Sequence, residues 1–199
     1  MQLDPVAAAK TAVRDQVLTA RRRRSLAEIG EASAALATRL LDTPEVRRAA
    51  TVACYVSVST EPGTGPLLDA LQARGRRVIL PILQRDGDLD WAAYTGPDAL
   101  VAAGRGLLEP AGPRLGPDAV ATADVLLCPA VAVDRAGMRL GRGGGSYDRA
   151  LGRVPVGTFV CALLYDGELL DAVPADDHDR RVSAVATPSA VTRLPAPPG

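Results

Sequence analysis

Rings and imidazoles are scarce in this sequence, with one Phe, one Trp, one His and four Tyr among 199 residues. A single histidine, His178, leaves no set of imidazoles for a zinc site. The three cysteines, Cys54, Cys128 and Cys161, lie far apart inside apolar runs and form no C-x-x-C pair, so a zinc site or a cysteine–histidine dyad is not expected. They read as small buried hydrophobes. Net charge is absent too, since Lys+Arg and Asp+Glu both number 23. That balance argues against a dedicated nucleic-acid or membrane-surface protein, though it permits a local basic patch. No run reaches the ~18 apolar residues of a membrane span and no charged-then-apolar leader opens the chain, so a cytoplasmic protein is expected.

Hydrophobic residues make up 47% of the chain, enough for a substantial core, and one domain over residues 1–187 is expected. From Pro188 onward proline and small residues dominate, and residues 188–199 read as a disordered tail. The first forty residues read as two helices. One runs from about Pro5 to Arg24, with Val6, Val13, Val17 and Leu18 on or near one side. The second begins at the capping-box spacing Ser25-Leu26-Ala27-Glu28 and runs to about Leu41. The basic run Arg21 to Arg24 reads as a solvated helix end, and Lys10 and Arg14 have the same bland explanation.

Beyond the helices, Thr51 to Ser57 reads as a strand, followed by the loop Ser59 to Thr64 and a helix stopped by Gly75. Arg77 to Pro81 reads as a strand with a proline stop. Leu89 to Tyr94 follows the Asp86-Gly87-Asp88 turn as its hairpin partner, with Trp91 in the core. Val125 to Cys128 and Ala130 to Val133 read as a buried strand and its extension. Val156 to Leu164 and Val182 to Ala186 read as later strands, and Leu169-Leu170 as a short helical turn. Such alternation implies an α/β fold with a largely parallel central sheet covered on both faces.

The chemistry concentrates after Val133. A turn, Asp134 to Gly137, leads through Arg139 and Leu140 to Gly141-Arg142-Gly143-Gly144-Gly145 and a helix starting near Ser146. Glycines let backbone N–H groups approach an anion, and a helix N-terminus adds partial positive charge. The loop is neither a Walker A loop, lacking Lys-Ser or Lys-Thr, nor the dinucleotide fingerprint, since Ser146 stands at the final Gly or Ala. A bare glycine loop reads equally well as a flexible turn.

The wider string from Asp134 to Asp148, Asp-x-x-Gly-x-Arg-Leu-Gly-x-Gly-x-Gly-x-Tyr-Asp, resembles the signature of the 5-formyltetrahydrofolate cyclo-ligase family. Similar family segments occur at Gly106 to Pro110 and at Pro174 to Asp179, and the resemblance runs from Lys10 to about Thr187. It implies a three-layer α/β/α sandwich with an antiparallel strand. It also implies an ATP- and magnesium-dependent closure of 5-formyltetrahydrofolate to 5,10-methenyltetrahydrofolate. On this resemblance ATP is held by Lys10, Arg14, Arg139, Leu140, Gly141, Arg142, Gly143, Gly144, Gly145, Ser146 and Tyr147, with Lys10 and Arg142 catalytic. Glu61, Tyr55 and Tyr147 take the folate, and Asp148 and Asp179 take Mg2+. Ser146 departs from the family's usual Phe or Tyr. A monomer is expected, with no nucleic-acid or membrane partner. Two other classes stay open: a non-catalytic folate or nucleotide sensor, and a sugar-phosphate isomerase-like or acyl-transfer enzyme on a similar sheet.

Overall fold

The computed structural model describes residues 4–195. Helix α1 (Pro5–Arg22) starts where Asp4 accepts the Val6 N–H and Pro5 supplies a preset φ. Helix α2 (Leu26–Asp42) starts at the expected capping box, Ser25 and Glu28 satisfying each other's backbone N–H groups. A short α3 (Pro44–Arg48), unanticipated from the pattern, leads into β1 (Thr51–Ala53), which is shorter than the expected Thr51 to Ser57.

Helix α4 (Gly65–Ala73) precedes the hairpin of β2 (Arg77–Leu83) and β3 (Leu89–Ala93), and a second hairpin, β4 (Leu100–Ala102) and β5 (Leu108–Pro110), follows. Pro81 does not stop β2 as its type predicted. The parallel pairing with β1 ends at Ile79, so beyond that point the only strand paired with β2 is β3, and Pro81 sits opposite Trp91 with no strand on its other side. A missing N–H is harmless there.

Next come β6 (Val125–Pro129), β7 (Ala132–Asp134), β8 (Arg139–Leu140), α5 (Ser146–Leu151), β9 (Phe159–Leu163), β10 (Leu169–Leu170), β11 (Ala184–Ala186) and β12 (Val191–Arg193). The central sheet has the order β12-β11-β9-β6-β1-β2-β3. Its five inner strands are parallel and both edge strands antiparallel. Two expectations give way here. Ala130 to Val133 does not extend β6, because the chain leaves the sheet at Pro129 and β7 pairs in a separate small sheet, β10-β7-β8. Leu169-Leu170 is the parallel strand beside β7, not a helical turn.

The tail expectation is also corrected in part. Val191–Arg193 pairs with β11, and Val191 packs partly buried against the core. Residues 196–199 of that stretch lie outside the described residues.

Alternation along the buried strands divides the core in two. Val52, Cys54, Val78, Leu80, Leu127 and Cys161 face α2, α3 and α4, while Ala53, Ile79, Leu126, Cys128 and Ala162 face α5 and a 3-10 turn at Pro117–Thr122. That is the three-layer sandwich. Helix α1 packs elsewhere, its Val13 against the small sheet through Ala132, Leu140 and Val173. No helix of the described residues is long and apolar enough to cross a membrane.

Candidate active site

At the carboxyl ends of the parallel strands lies a cleft of about 430 Å³, within the range of small-ligand sites. Every site residue that the resemblance implies lines it: Lys10 and Arg14 from α1, Tyr55 and Glu61 from the loop after β1, Arg139 to Asp148 through the glycine loop, and Asp179. Lys10 and Asp179, 169 positions apart in the chain, therefore share one site.

The loop after β1 is shaped by its own side chains. Ser57 and Thr64 exchange backbone-to-hydroxyl hydrogen bonds at 3.0 and 3.1 Å, and the Thr64 hydroxyl donates to the Tyr55 carbonyl. Inside this clasp Glu61 is buried, with one carboxylate oxygen accepting the Val58 N–H at 3.0 Å and the other 3.1 Å from Arg142 Nε. The tip of the glycine loop thus reaches the acid of the β1 loop. Burial pushes the Tyr55 hydroxyl well above its ordinary pKa, and it donates to the Pro62 carbonyl.

The glycine loop is held by Arg14 on one side and by the Arg142–Glu61 contact on the other. Arg14 Nε donates to the Gly141 carbonyl at 2.8 Å, and its guanidinium lies against Gly143. Gly143 and Gly145 have φ of +100° and +68°, conformations that side chains rarely adopt, and Gly145 caps α5 in the left-handed form. Helix α5 has only six residues, so the helix-dipole contribution expected at Ser146 is small. Charge near the loop comes mainly from arginine. Arg139 is buried and donates to Asp148 at 2.9 Å and to the Pro129 carbonyl at 3.3 Å, while its Nε has no partner among the described residues. The Tyr147 hydroxyl is likewise buried without a partner, and burial raises its pKa well above the ordinary value.

Lys10 is buried between Asp176, at 2.6 Å, and Asp179. Burial alone would lower its pKa, but the hydrogen bonds it donates to both carboxylates, with their charge, outweigh that and raise it. Burial likewise would raise Asp179, yet Lys10 and the Asp176 N–H hold its carboxyl below the usual range. Asp176 lies within the Pro174 to Asp179 segment, and nothing local in the sequence separates it from the neighbouring acid Asp177. Asp148 uses one oxygen for Arg139 and the Arg180 N–H. Among the described residues the second oxygens of Asp148 and Asp179 carry no hydrogen bond, which suits a hard cation taking one or two acids plus waters. No group of three or more potential metal ligands occurs among the described residues. His178 lies at the rim, side chain 76% exposed and 4.0 Å from Asp179.

The basic run proved less uniform than its composition. Arg21 is 1% exposed, not solvated. It forks onto Glu168 at 2.8 and 2.7 Å and donates to the Ala130 carbonyl on the cleft wall. Glu168 accepts the Tyr165 N–H, Tyr165 donates its hydroxyl to the Glu61 carbonyl at 3.1 Å, and Arg24 stacks over the Tyr165 ring at 4.1 Å. No local signal separated Arg21 from Arg22 and Arg23, because the acid it meets is distant in the chain. The three cysteines are buried as expected, and burial pushes their thiols up, Cys54 to about 12 and Cys128 to about 11, which favours the protonated form.

Against known proteins, residues 6–188 match the model of the 5-formyltetrahydrofolate cyclo-ligase family. The chain is 47% identical to a 5-formyltetrahydrofolate cyclo-ligase of Mycolicibacterium smegmatis over 143 residues, 69% of this chain and 73% of the relative. It is 36% identical to the Escherichia coli cyclo-ligase over 163 residues, 78% of this chain and 87% of the relative. The solved 5,10-methenyltetrahydrofolate synthetase of Aquifex aeolicus superposes with a TM-score of 0.80 at 28% identity, over 96% of this chain and 95% of that one. With its signature loop, its sheet and these relatives in agreement, the chain belongs to the 5-formyltetrahydrofolate cyclo-ligase family.

Proposed function

We propose that this chain converts 5-formyltetrahydrofolate and ATP to 5,10-methenyltetrahydrofolate, ADP and phosphate. The observation that carries the reading is the Arg142–Glu61 contact of 3.1 Å, which brings a phosphate-type loop and a pterin-type acid within one side chain of each other. A pterin offers an amide N–H and an amine side by side, the donors a carboxylate accepts. The same relative placement would set the substrate's formyl group beside the transferable phosphate.

In the reaction proposed, the formyl oxygen attacks the γ-phosphorus and ADP departs. The N5–carbon bond then carries iminium character with phosphate on its oxygen. N10 attacks that carbon in the same molecule, loses its proton to solvent, and the phosphate leaves with the formyl oxygen. Proximity supplies much of this second step, and no protein nucleophile is required. The first step needs positioning and charge neutralisation, for which Arg14, Arg139, Arg142, Lys10 and the loop N–H groups are suited. Lys10 and Arg142 are proposed as the catalytic pair, and Gly141, Gly143, Gly144, Gly145, Leu140, Ser146 and Tyr147 as the remaining ATP contacts. Tyr55, Glu61 and Tyr147 would hold the folate. Magnesium, held by Asp148 and Asp179, would supply further charge neutralisation at the phosphates.

The test is growth of the near-ultraviolet methenyl absorbance from purified protein, 5-formyltetrahydrofolate, Mg2+ and ATP, with ATP omitted as control. ATP-dependent growth is the expected result. A flat trace from folded protein that binds both ligands would instead establish a sensor.

A further inference from the structure

Among the described residues only two other than glycine have positive φ, Ser59 in the Glu61 loop and Arg105. Arg105, at φ +63° and ψ 22°, forms the tip of the β4–β5 hairpin on the rim of the cleft. Left-handed backbone at a residue other than glycine recurs at ligand-holding loops. The side chain it presents is exposed, and among the described residues its guanidinium joins no ion pair or hydrogen bond. Glu109, the nearby acid of the hairpin, has one carboxylate oxygen turned to the Leu83 N–H at 2.8 Å.

The wall leading to Arg105 is apolar. Pro81 and Leu83 from β2, Leu89 from β3, and Leu107 and Leu108 from the hairpin line it, and Leu108 is 43% exposed although hydrophobic. By sheet order β6, β1, β2 and β3, this wall lies on the far side of the Glu61 loop from the β6 end of the sheet. A ligand matched to it would carry a flat apolar middle and an anionic end. Resting on the folate reading above, the chemistry points to the aminobenzoyl ring and the glutamyl carboxylates of that substrate. We propose that Arg105 binds the carboxylates of the glutamyl tail, with the apolar wall beside it taking the aminobenzoyl ring. A guanidinium fork matches a carboxylate in geometry as well as charge.

The test compares equilibrium binding of 5-formyltetrahydrofolate and of its tail-less analogue 5-formyltetrahydropteroate, by calorimetry, to wild type, Arg105→Lys and Arg105→Gly. Glycine is at ease at φ +63°, so Arg105→Gly removes the charge and keeps the hairpin turn. Wild type is expected to bind the tailed ligand about fivefold more tightly, a gap that narrows with salt. Arg105→Lys should keep most of that preference and Arg105→Gly should lose it. If Arg105→Gly retains the wild-type ratio, the assignment of Arg105 falls while the folate reading stands. If wild type binds neither pteridine, the folate reading itself fails and takes this role with it.

Discussion

At the scale of single residues, the site is held together by charges that its ligands must displace or share. Arg142 occupies the Glu61 oxygen that a pterin would use, so removing its side chain should act in opposite directions on the two halves of the reaction. Arg142→Ala is expected to bind 5-formyltetrahydrofolate as well as or better than wild type while kcat drops by about 10²-fold or more, the range for losing one transition-state contact. Parallel loss of binding and turnover would contradict that swap. For Glu61→Gln, one acceptor for the pterin donors becomes a donor, and KM for the folate should rise by about tenfold or more with KM for ATP little changed.

The Lys10–Asp179 pair makes a pH prediction. Asp179 is held below 3.8, so its contribution to stability is complete above that value and is lost as pH falls through its folded pKa. Lys10 is raised above 10.5, so its contribution is complete below that value and is lost as pH rises through its folded pKa. The Tm difference between wild type and Lys10→Met should therefore be flat across neutral pH and shrink at both extremes. A difference independent of pH would show that the pair contributes packing alone.

Ser146 is legible in the sequence as a departure, and the structure puts it on the cleft wall. Ser146→Tyr is expected to tighten folate binding by roughly two- to tenfold if the added ring stacks, worth about 0.5–1.5 kcal/mol. Unchanged affinity would mean that the ring finds no partner there.

Among the elements, α1 is the one whose role local pattern could least define. Its apolar stripe and caps announce a helix, but nothing within eighteen residues shows which arginine goes inside. Arg21 is chosen by Glu168, which sits just before β10 and is placed by the pairing of β10 beside β7. Breaking this buried pair by Arg21→Met alone should cost about 3–5 kcal/mol, because Glu168 is left with an uncompensated charge. The double change Arg21→Met with Glu168→Leu should recover much of that loss in a denaturation series. The same argument explains why Ala130 to Val133 reads as an extension of β6: apolar content is equal in both segments, and only the turn at Pro129 and the partner β10 separate them. Capping at Ser25 and the stop at Gly75 are decided by neighbours in the chain, and both stand where the sequence places them.

For the whole molecule, the cleft joins α1 near one end of the chain to Asp176 and Asp179 near the other. A non-hydrolysable ATP analogue at about 100 times its Kd should therefore stabilise the fold by about 2.7 kcal/mol. It should also slow amide hydrogen exchange in α1 as well as in the glycine loop. Slowing in the loop alone would remove Lys10 and Arg14 from the nucleotide site.

Local rules settled much about this protein. Short continuous apolar runs mark the inner strands, caps mark the helix starts, clustered glycines mark the loop, and the Asp134 to Asp148 string carries the family resemblance. Tertiary structure alone decided which charges are buried, where β7 and β10 pair, that Val191–Arg193 closes the sheet edge, and that Arg142 faces Glu61. The physical reason is range. Turns, caps and strand alternation depend on backbone sterics within a few residues, whereas burial and ion pairing are energies of contact between segments that only the folded chain brings together.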